Sequence, residues 1–250
     1  MNERQTQIVK IVSEKGKVSV SELSKETGVS VVTVRHDLTV LEKAKYIRRE
    51  HGFAIMEQEH EDTESRSLVN FSVKQALAQQ AALLVEPNDT VFIEGGSTNA
   101  FLARLLASRS DITIVTISVY IAHLLKESEC NVILLGGMLQ KSNEALVGPI
   151  TRAALQMVNF NKTFIGIDGY SLQTGFTGRD MMRADILNTA IDKCDCNVIL
   201  ADSSKFGCVH LNAFGPIDKV HYLITDSGLN KQFLGQLEEK LTLIMVDTLC

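Results

Sequence analysis

Two hydrophobic rhythms divide this chain. Over the first 56 residues, apolar positions recur at helical spacing. Ile8, Ile11 and Val12 form an i, i+3, i+4 stripe that predicts a first helix. Lys15-Gly16-Lys17 ends it, with glycine where a left-handed residue is needed. Ser19 and Glu22 have capping-box spacing and open a second helix, with Leu23 inward. Gly28-Val29-Ser30 reads as a tight turn in which Ser30 caps a third helix. There Val31, Val34, Leu38 and Leu41 share one face and are expected to pack inward, leaving Val32, Thr33, Arg35, His36 and Thr39 outward. Tyr46–Glu50 and Phe53–Met56 read as the strands of a hairpin around His51-Gly52.

From Thr90 the rhythm changes. Short runs, apolar on both faces, occur at Val91–Ile93, Ile112–Thr116, Val132–Leu135, Phe164–Ile167, Val198–Ala201, His221–Thr225 and Thr242–Val246. Helix-like stretches such as Ala100–Ala107, Val119–Lys126 and Ala184–Lys193 separate them. This alternation predicts a parallel sheet covered on both sides. Leu68–Val85 is expected to be mostly helix, and the acidic, polar stretch Glu57–Ser67 reads as a linker. The expected organisation is therefore a small module at 1–56, a linker at 57–67 and an α/β domain at 68–250.

Charge supports this division. The chain carries a net −5, but residues 1–56 hold 10 Lys/Arg against 7 Asp/Glu and the rest holds 15 against 23. A basic head on an acidic body fits one nucleic-acid module joined to a soluble partner domain. No apolar run reaches the roughly 18 residues of a membrane span, and the polar start is not a secretory signal. Five scattered cysteines, Cys130, Cys194, Cys196, Cys208 and Cys250, suit reduced thiols, so a cytoplasmic protein is expected, with no metal and no cofactor.

Two short helices joined by a glycine turn, the second exposing small and basic groups near its start, form a helix-turn-helix. Arg35 suits a bidentate contact with guanine, and the methyls of Val32 and Thr33 suit thymine. Ser30 at the helix start suits a phosphate. The DNA-facing candidates are Ser21, Ser30, Val32, Thr33, Arg35, His36 and Thr39, with Arg48, Arg49 and His51 on the hairpin as a wing. By geometry alone, an αα-hairpin with a solvated charged face fits equally well.

In the larger domain a strand ends at Glu94 and Gly95-Gly96-Ser97-Thr98 opens a helix, with Asn99 behind. Glycines permit close approach, hydroxyls donate, and the helix dipole favours an anion. The spacing is neither a phosphate-binding P-loop nor a dinucleotide fingerprint. Ligands of open α/β sheets bind outside the strands' carboxyl ends. Further candidates at such ends are Thr116 and Ser118, Gly136 and Gly137, Asp168, Thr177, and Asp202-Ser203-Ser204-Lys205. Lys205 is placed to neutralise a phosphate, while Asp168 and Asp202 serve equally well as turn caps.

The segment VSVSELSKETGVSVVTVRHDLTVLEKAKYIRREHGFAI closely resembles the N-terminal signature of the DeoR family of bacterial regulators, in register from Val18 through Glu22, Gly28, Ser30, Arg35, Asp37, Arg49, His51 and Ala54. EGGST, TIS, LLGG, GIDG, GFT and DSSKFG follow in the family's order, and the arrangement of GGM, VGP and GFTGRDMMR looks closest to the YciT-like branch. The resemblance implies a winged helix-turn-helix followed by an α/β sensor domain resembling the ribose-5-phosphate isomerase fold. It also implies duplex operator DNA and a phosphorylated sugar or similar anion as partners. His36, Phe53 and Ile117 depart from the family's usual Arg, Gly and Asn; they imply a changed base preference, a stiffer wing and an altered ligand. One winged module has a small footprint, so a homodimer or homotetramer is expected. The leading function is a ligand-responsive repressor. The alternatives are a sugar-phosphate isomerase with Asp168 as base and Lys205 as electrophile, and a non-specific architectural binder, which the acidic body disfavours.

Overall fold

The computed structural model describes residues 2–44, 46–56 and 63–247 and divides into two compact units, Met1–Phe71 and Ser72–Cys250. The first contains α1 (Glu3–Lys15), β1 (Lys17–Ser19), α2 (Val20–Thr27), α3 (Val31–Lys43), β2 (Ile47–Glu50), β3 (Phe53–Met56) and α4 (Thr63–Leu68). Each predicted cap is present. Ser19 Oγ accepts from the Glu22 amide and Ser30 Oγ from the Thr33 amide, both at 3.2 Å. Gly28 ends α2 in the left-handed region, at φ 68°, which lets α3 leave at a sharp angle.

Ile8, Val12, Val18, Leu23, Val34, Leu38, Leu41, Ile47 and Ala54 fill the core. The inner face of α3 differs from the expected one. Val31 remains 38% exposed at the first helical position, and the buried set is Val34, Asp37, Leu38 and Leu41. The polar Asp37 is drawn inside because α1 supplies its partners. The hairpin β2–β3 forms as predicted, and β3 also pairs with β1, giving the sheet order β1-β3-β2.

The expected linker is corrected. Residues 57–62 lie outside the described residues, but Thr63–Leu68 is helical. Leu68 joins the first core, the Asn70 amide donates to Ser13 Oγ at 2.8 Å, and Lys10 Nζ lies 3.5 Å from the Phe71 ring centre. Leu68 and Phe71, expected in the helix opening the second domain, instead anchor to the first, so the first unit extends to Phe71.

The second unit runs α5 (Phe71–Ala82), β4 (Thr90–Ile93), α6 (Ser97–Leu106), β5 (Thr113–Thr116), α7 (Val119–Leu124), β6 (Asn131–Leu134), β7 (Met138–Gln140), β8 (Ala145–Val147), α8 (Pro149–Met157), β9 (Lys162–Gly166), β10 (Gly169–Ser171), β11 (Gly175–Gly178), α9 (Met181–Lys193), β12 (Asn197–Leu200), β13 (Asn212–Ala213), β14 (Tyr222–Asp226), α10 (Leu234–Glu238) and β15 (Thr242–Val246). The seven predicted apolar runs form one parallel sheet, ordered β15-β14-β12-β9-β4-β5-β6. Alternate residues feed two cores. Val91, Ile93, Ile114, Phe164, Val198 and Ile224 pack with α5, α6 and α7; Phe92, Val115, Ile165, Ile199 and Leu223 pack with α8, α9 and α10.

The chain starts this sheet at β4, builds outward to β6, then returns to β9 on the other side of β4. The strand order therefore reverses between β4 and β9, where such sheets open a crevice at their carboxyl ends. The hairpin β7–β8 and the small antiparallel sheet β10-β11-β13 are additions not legible in the sequence. They turn Gly169 and Gly175-Phe176-Thr177, expected as loops, into strand residues, stabilised by the packed rings of Tyr170, Phe176, Phe206 and Phe233.

Candidate functional site

On α3, Val32, Arg35, His36 and Thr39 are exposed and Thr33 partly so. The Arg35 guanidinium makes no hydrogen bond or ion pair among the described residues, while its carbonyl accepts from Thr39 Oγ1 at 2.9 Å. Ser21 is exposed and bonded to Ser19 Oγ at 3.0 Å. The wing turns at His51 (φ 47°) and Gly52 (φ 85°). Arg48 pairs with Glu50. Arg49 ties the wing to α3, its amide donating to Glu42 Oε1 at 3.0 Å and its guanidinium to Thr39 Oγ1 at 3.2 Å. Phe53 is partly covered by Lys17, whose ammonium lies 4.9 Å from the ring centre.

Asp37 is the residue whose role sequence reasoning missed here. Arg4 donates to its carboxylate from Nε at 2.6 Å and Nη2 at 3.2 Å, and Gln5 Nε2 donates at 3.2 Å. The Arg4 hydrogen bonds hold the Asp37 carboxyl below its ordinary range against the upward push of burial. This fork fixes the recognition helix against α1.

In the second unit, the crevice between β4 and β9 is organised by Arg183, on the first turn of α9. Its Nε donates to Glu94 Oε1 at 2.6 Å, Nη1 to Asp168 Oδ2 at 2.9 Å, and Nη2 to the Gly166 carbonyl at 3.0 Å. Glu94 ends β4 and Gly166 ends β9, so one guanidinium clasps both sides of the switch point. Burial pushes the Asp168 carboxyl up. The charges of Arg183, Arg179 and Lys205 and a hydrogen bond from the Arg179 amide outweigh it and hold Asp168 below the usual range. A carboxylate so held is a weaker base than an unpaired one.

Arg179 and Lys205 flank this carboxylate with no ion pair of their own among the described residues. At the carboxyl end of the neighbouring strand β4, α6 begins at Gly96 (φ 83°), a backbone conformation costly for any side chain, with no side-chain cap. The hydroxyls of Ser97 and Thr98 make no hydrogen bond among the described residues. Uncapped amides, two free hydroxyls and two unpaired cations are the elements of an anion site.

Other expected lining residues have different tasks. Thr116 and Ser118 are fully buried. The Thr116 hydroxyl donates to the Glu94 carbonyl and accepts from the Ser118 amide, both at 3.1 Å, while Ser118 Oγ caps α7. Ile117 points into the core rather than a pocket. Thr177 is buried and accepts from the His210 amide. Asn99 is buried, donating to the Gly95 and Phe164 carbonyls. Asp202 caps the turn at Ser204, and Ser203 is held by Asp226 through its amide at 2.6 Å and its hydroxyl at 2.7 Å. Gly136 and Gly137 follow β6 at the sheet edge and lead into the β7–β8 hairpin. A cleft of about 500 Å³, lined by Tyr170, Thr174, Asn188, Phe214, Ile217 and Gln236 among others, includes none of the expected effector residues. Arg183, within GFTGRDMMR, was missed because its partners Glu94, Gly166 and Asp168 are remote in sequence, and Arg179 because it makes no ion pair among the described residues.

A winged helix-turn-helix module followed by a doubly wound α/β domain defines a class of DNA-binding transcription regulators. Residues 4–60 match the DeoR-like helix-turn-helix domain and residues 69–227 the DeoR C terminal sensor domain. The chain belongs to the DeoR family. It is 32% identical to an HTH-type transcriptional regulator, YulB, of Bacillus subtilis, over 95% of this chain and 93% of that one. It is also 32% identical to the lactose phosphotransferase system repressor of Streptococcus mutans, over 90% and 91% of the two chains. Among solved structures, ribose 5-phosphate isomerase A of Methanocaldococcus jannaschii superposes over 55% of each chain, with 18% identity and a TM-score of 0.42. No described helix is long and apolar enough to cross a membrane.

Proposed function

We propose that this protein is a cytoplasmic repressor whose affinity for operator DNA is set by a phosphorylated sugar, or a closely related anion, bound at the switch point of its second unit. The observation that supports the effector half is the pair of cations without ion pairs among the described residues, Arg179 and Lys205, flanking Asp168 at the strand ends, with the uncapped start of α6 at the same end of the sheet. A phosphate at the amides of Ser97 and Thr98 meets two hydroxyls and two positive charges; the sugar's hydroxyls then face the crevice. Arg35, Val32 and Thr33 read base edges, with His36 in place of the family's usual arginine, while Ser21, Ser30, Thr39, Arg48, Arg49 and His51 position the phosphate backbone. The repressor sign is supported by the Streptococcus mutans relative, which is named a repressor. Placement in the YciT-like branch rests on motif order alone. The working unit is a homodimer or larger, because one winged module covers only a half-site.

The test is a thermal-shift screen with pentose and hexose phosphates against wild type and Arg179→Ala/Lys205→Ala. Both side chains are at the surface of the site, so the unliganded double variant is expected to melt like wild type. A sugar phosphate present at 100 times its Kd should stabilise the wild type by about 2.7 kcal/mol and leave the variant unmoved. Equal stabilisation of both proteins refutes the site. Turnover of ribose 5-phosphate at ordinary enzymatic rates refutes a purely regulatory role.

A further inference from the structure

The strand β6 is an edge of the seven-stranded sheet, hydrogen-bonded among the described residues only to β5. Its sequence, Asn131-Val132-Ile133-Leu134, has no charge and no proline, the devices that ordinarily protect an edge from pairing with another strand. The elements around it are apolar and uncovered. Ile133 on β6, Met138 and Leu139 on β7, Ile150 and Met157 on α8, and Met181 at the start of α9 are each between 38% and 85% exposed.

These residues sit on adjoining elements. A Cβ on Gly137 would lie 1.8 Å from Thr151 Oγ1, so the chain entering β7 is pressed against the first turn of α8, which brings Met138 beside Ile150. Met157 lies seven residues further along α8, on the same side of the helix. The Gln140 side chain donates to Asp180 Oδ2 at 2.9 Å, which joins β7 to the start of α9 and Met181. Arg152 and Asp185, 2.9 Å apart, bind α8 to α9. Together the six residues expose on the order of 600 Å² of mostly apolar surface, at the top of the range for the largest patch on a monomer. One partner contributes about 800 Å² to a stable interface.

We infer that this surface is where a second copy of the chain docks, with β6 paired antiparallel to its counterpart across a twofold axis. Three features select a second copy over an unrelated partner. An open strand edge needs another strand, and the same strand placed antiparallel satisfies both edges at once and closes the assembly. The chain has a net charge of −5 while these six side chains carry none, so the side chains themselves meet their counterparts without like-charge repulsion. The inference also rests on the proposed function, because a half-site reader acts as a pair; its test involves neither DNA nor sugar, so the two readings fail separately.

The full chain is examined by light scattering after size exclusion, from about 1 to 100 μM. Wild type is expected as a dimer or a dimer of dimers. Ile133→Lys/Met157→Lys should weaken association at least tenfold, or halve the assembly, with unchanged circular dichroism and melting onset. Leu211→Lys, a 93% exposed position outside the patch, should associate like wild type. A monomeric wild type at 100 μM overturns the inference, as does an Ile133→Lys/Met157→Lys assembly unchanged in size and affinity. If that double variant misfolds, cysteine at Ile133 provides the second test. Crosslinking of the two copies through this residue under mild oxidation is expected, and none overturns the pairing.

Discussion

Removing the guanidinium of Arg183 tests the architecture of the switch point. In Arg183→Met, Glu94 loses its 2.6 Å partner and keeps only the Gly166 amide, 3.4 Å away. The Glu94 side chain is 3% exposed and that of Arg183 13%, so water cannot replace the lost charge. Breaking such a pair by deleting one partner costs about 3–5 kcal/mol. At roughly 2–4 °C per kcal/mol for a unit of this size, the second unit should melt roughly 6–20 °C lower. Circular dichroism is the suitable probe, as the chain has no tryptophan. Glu94→Gln/Arg183→Met should recover about 1–3 kcal/mol relative to the single variant. A single-variant loss below about 1 kcal/mol, or a double variant no more stable than the single, refutes the reading of Arg183 as the clasp of the crevice.

Asp37→Asn should destabilise the first unit at neutral pH. Because the folded Asp37 carboxyl titrates below its ordinary value of 3.8, its contribution is present above that value and is lost as pH falls through the lower folded one; acid titration of wild type and variant should therefore converge near the bottom of that window, and parallel curves contradict the Arg4–Asp37 fork. Ile117→Asn restores the residue usual in the family, but at a site with no exposure to solvent. It should cost about 1–3 kcal/mol as a buried amide without a partner, measured by urea denaturation; a neutral substitution that changes ligand preference would put position 117 back in the pocket.

Much of this architecture is legible in the sequence because burial on two faces leaves a simple trace. Strands such as Val91–Ile93 and Val198–Ala201 are apolar throughout, since alternate residues feed separate cores. Helices α1, α2 and α3 are legible from caps and periodicity together, with Ser19 and Ser30 marking the starts of α2 and α3. What is not legible depends on partners distant in the chain. Asp37 reads as a surface residue until Arg4, 33 positions away, folds against it, and Glu94 meets Arg183 across 89 positions. The strands β10, β11 and β13 are short, the first two bear glycines, and the pairing of β11 with β13 spans a helix and a parallel strand. Thr116 and Ser118 have the right chemistry at the right strand end, yet their hydroxyls hold the loop itself. Residue type and position along a strand do not reveal which way a side chain turns at its end.

The central claim is that one site on the second unit controls DNA affinity in the first. The most direct measurement is the Kd of the full chain for a duplex enriched from a random library, by fluorescence anisotropy at fixed salt, with and without each sugar phosphate. Wild type should enrich a defined sequence, and at least one sugar phosphate should shift its Kd by tenfold or more. Arg35→Ala should lose about 1–3 kcal/mol and its preference at one base position. Lys205→Ala should bind the ligand-free duplex like wild type and no longer respond to the sugar. A Kd indifferent to every sugar phosphate tried, or a response that survives Lys205→Ala unchanged, would contradict the account.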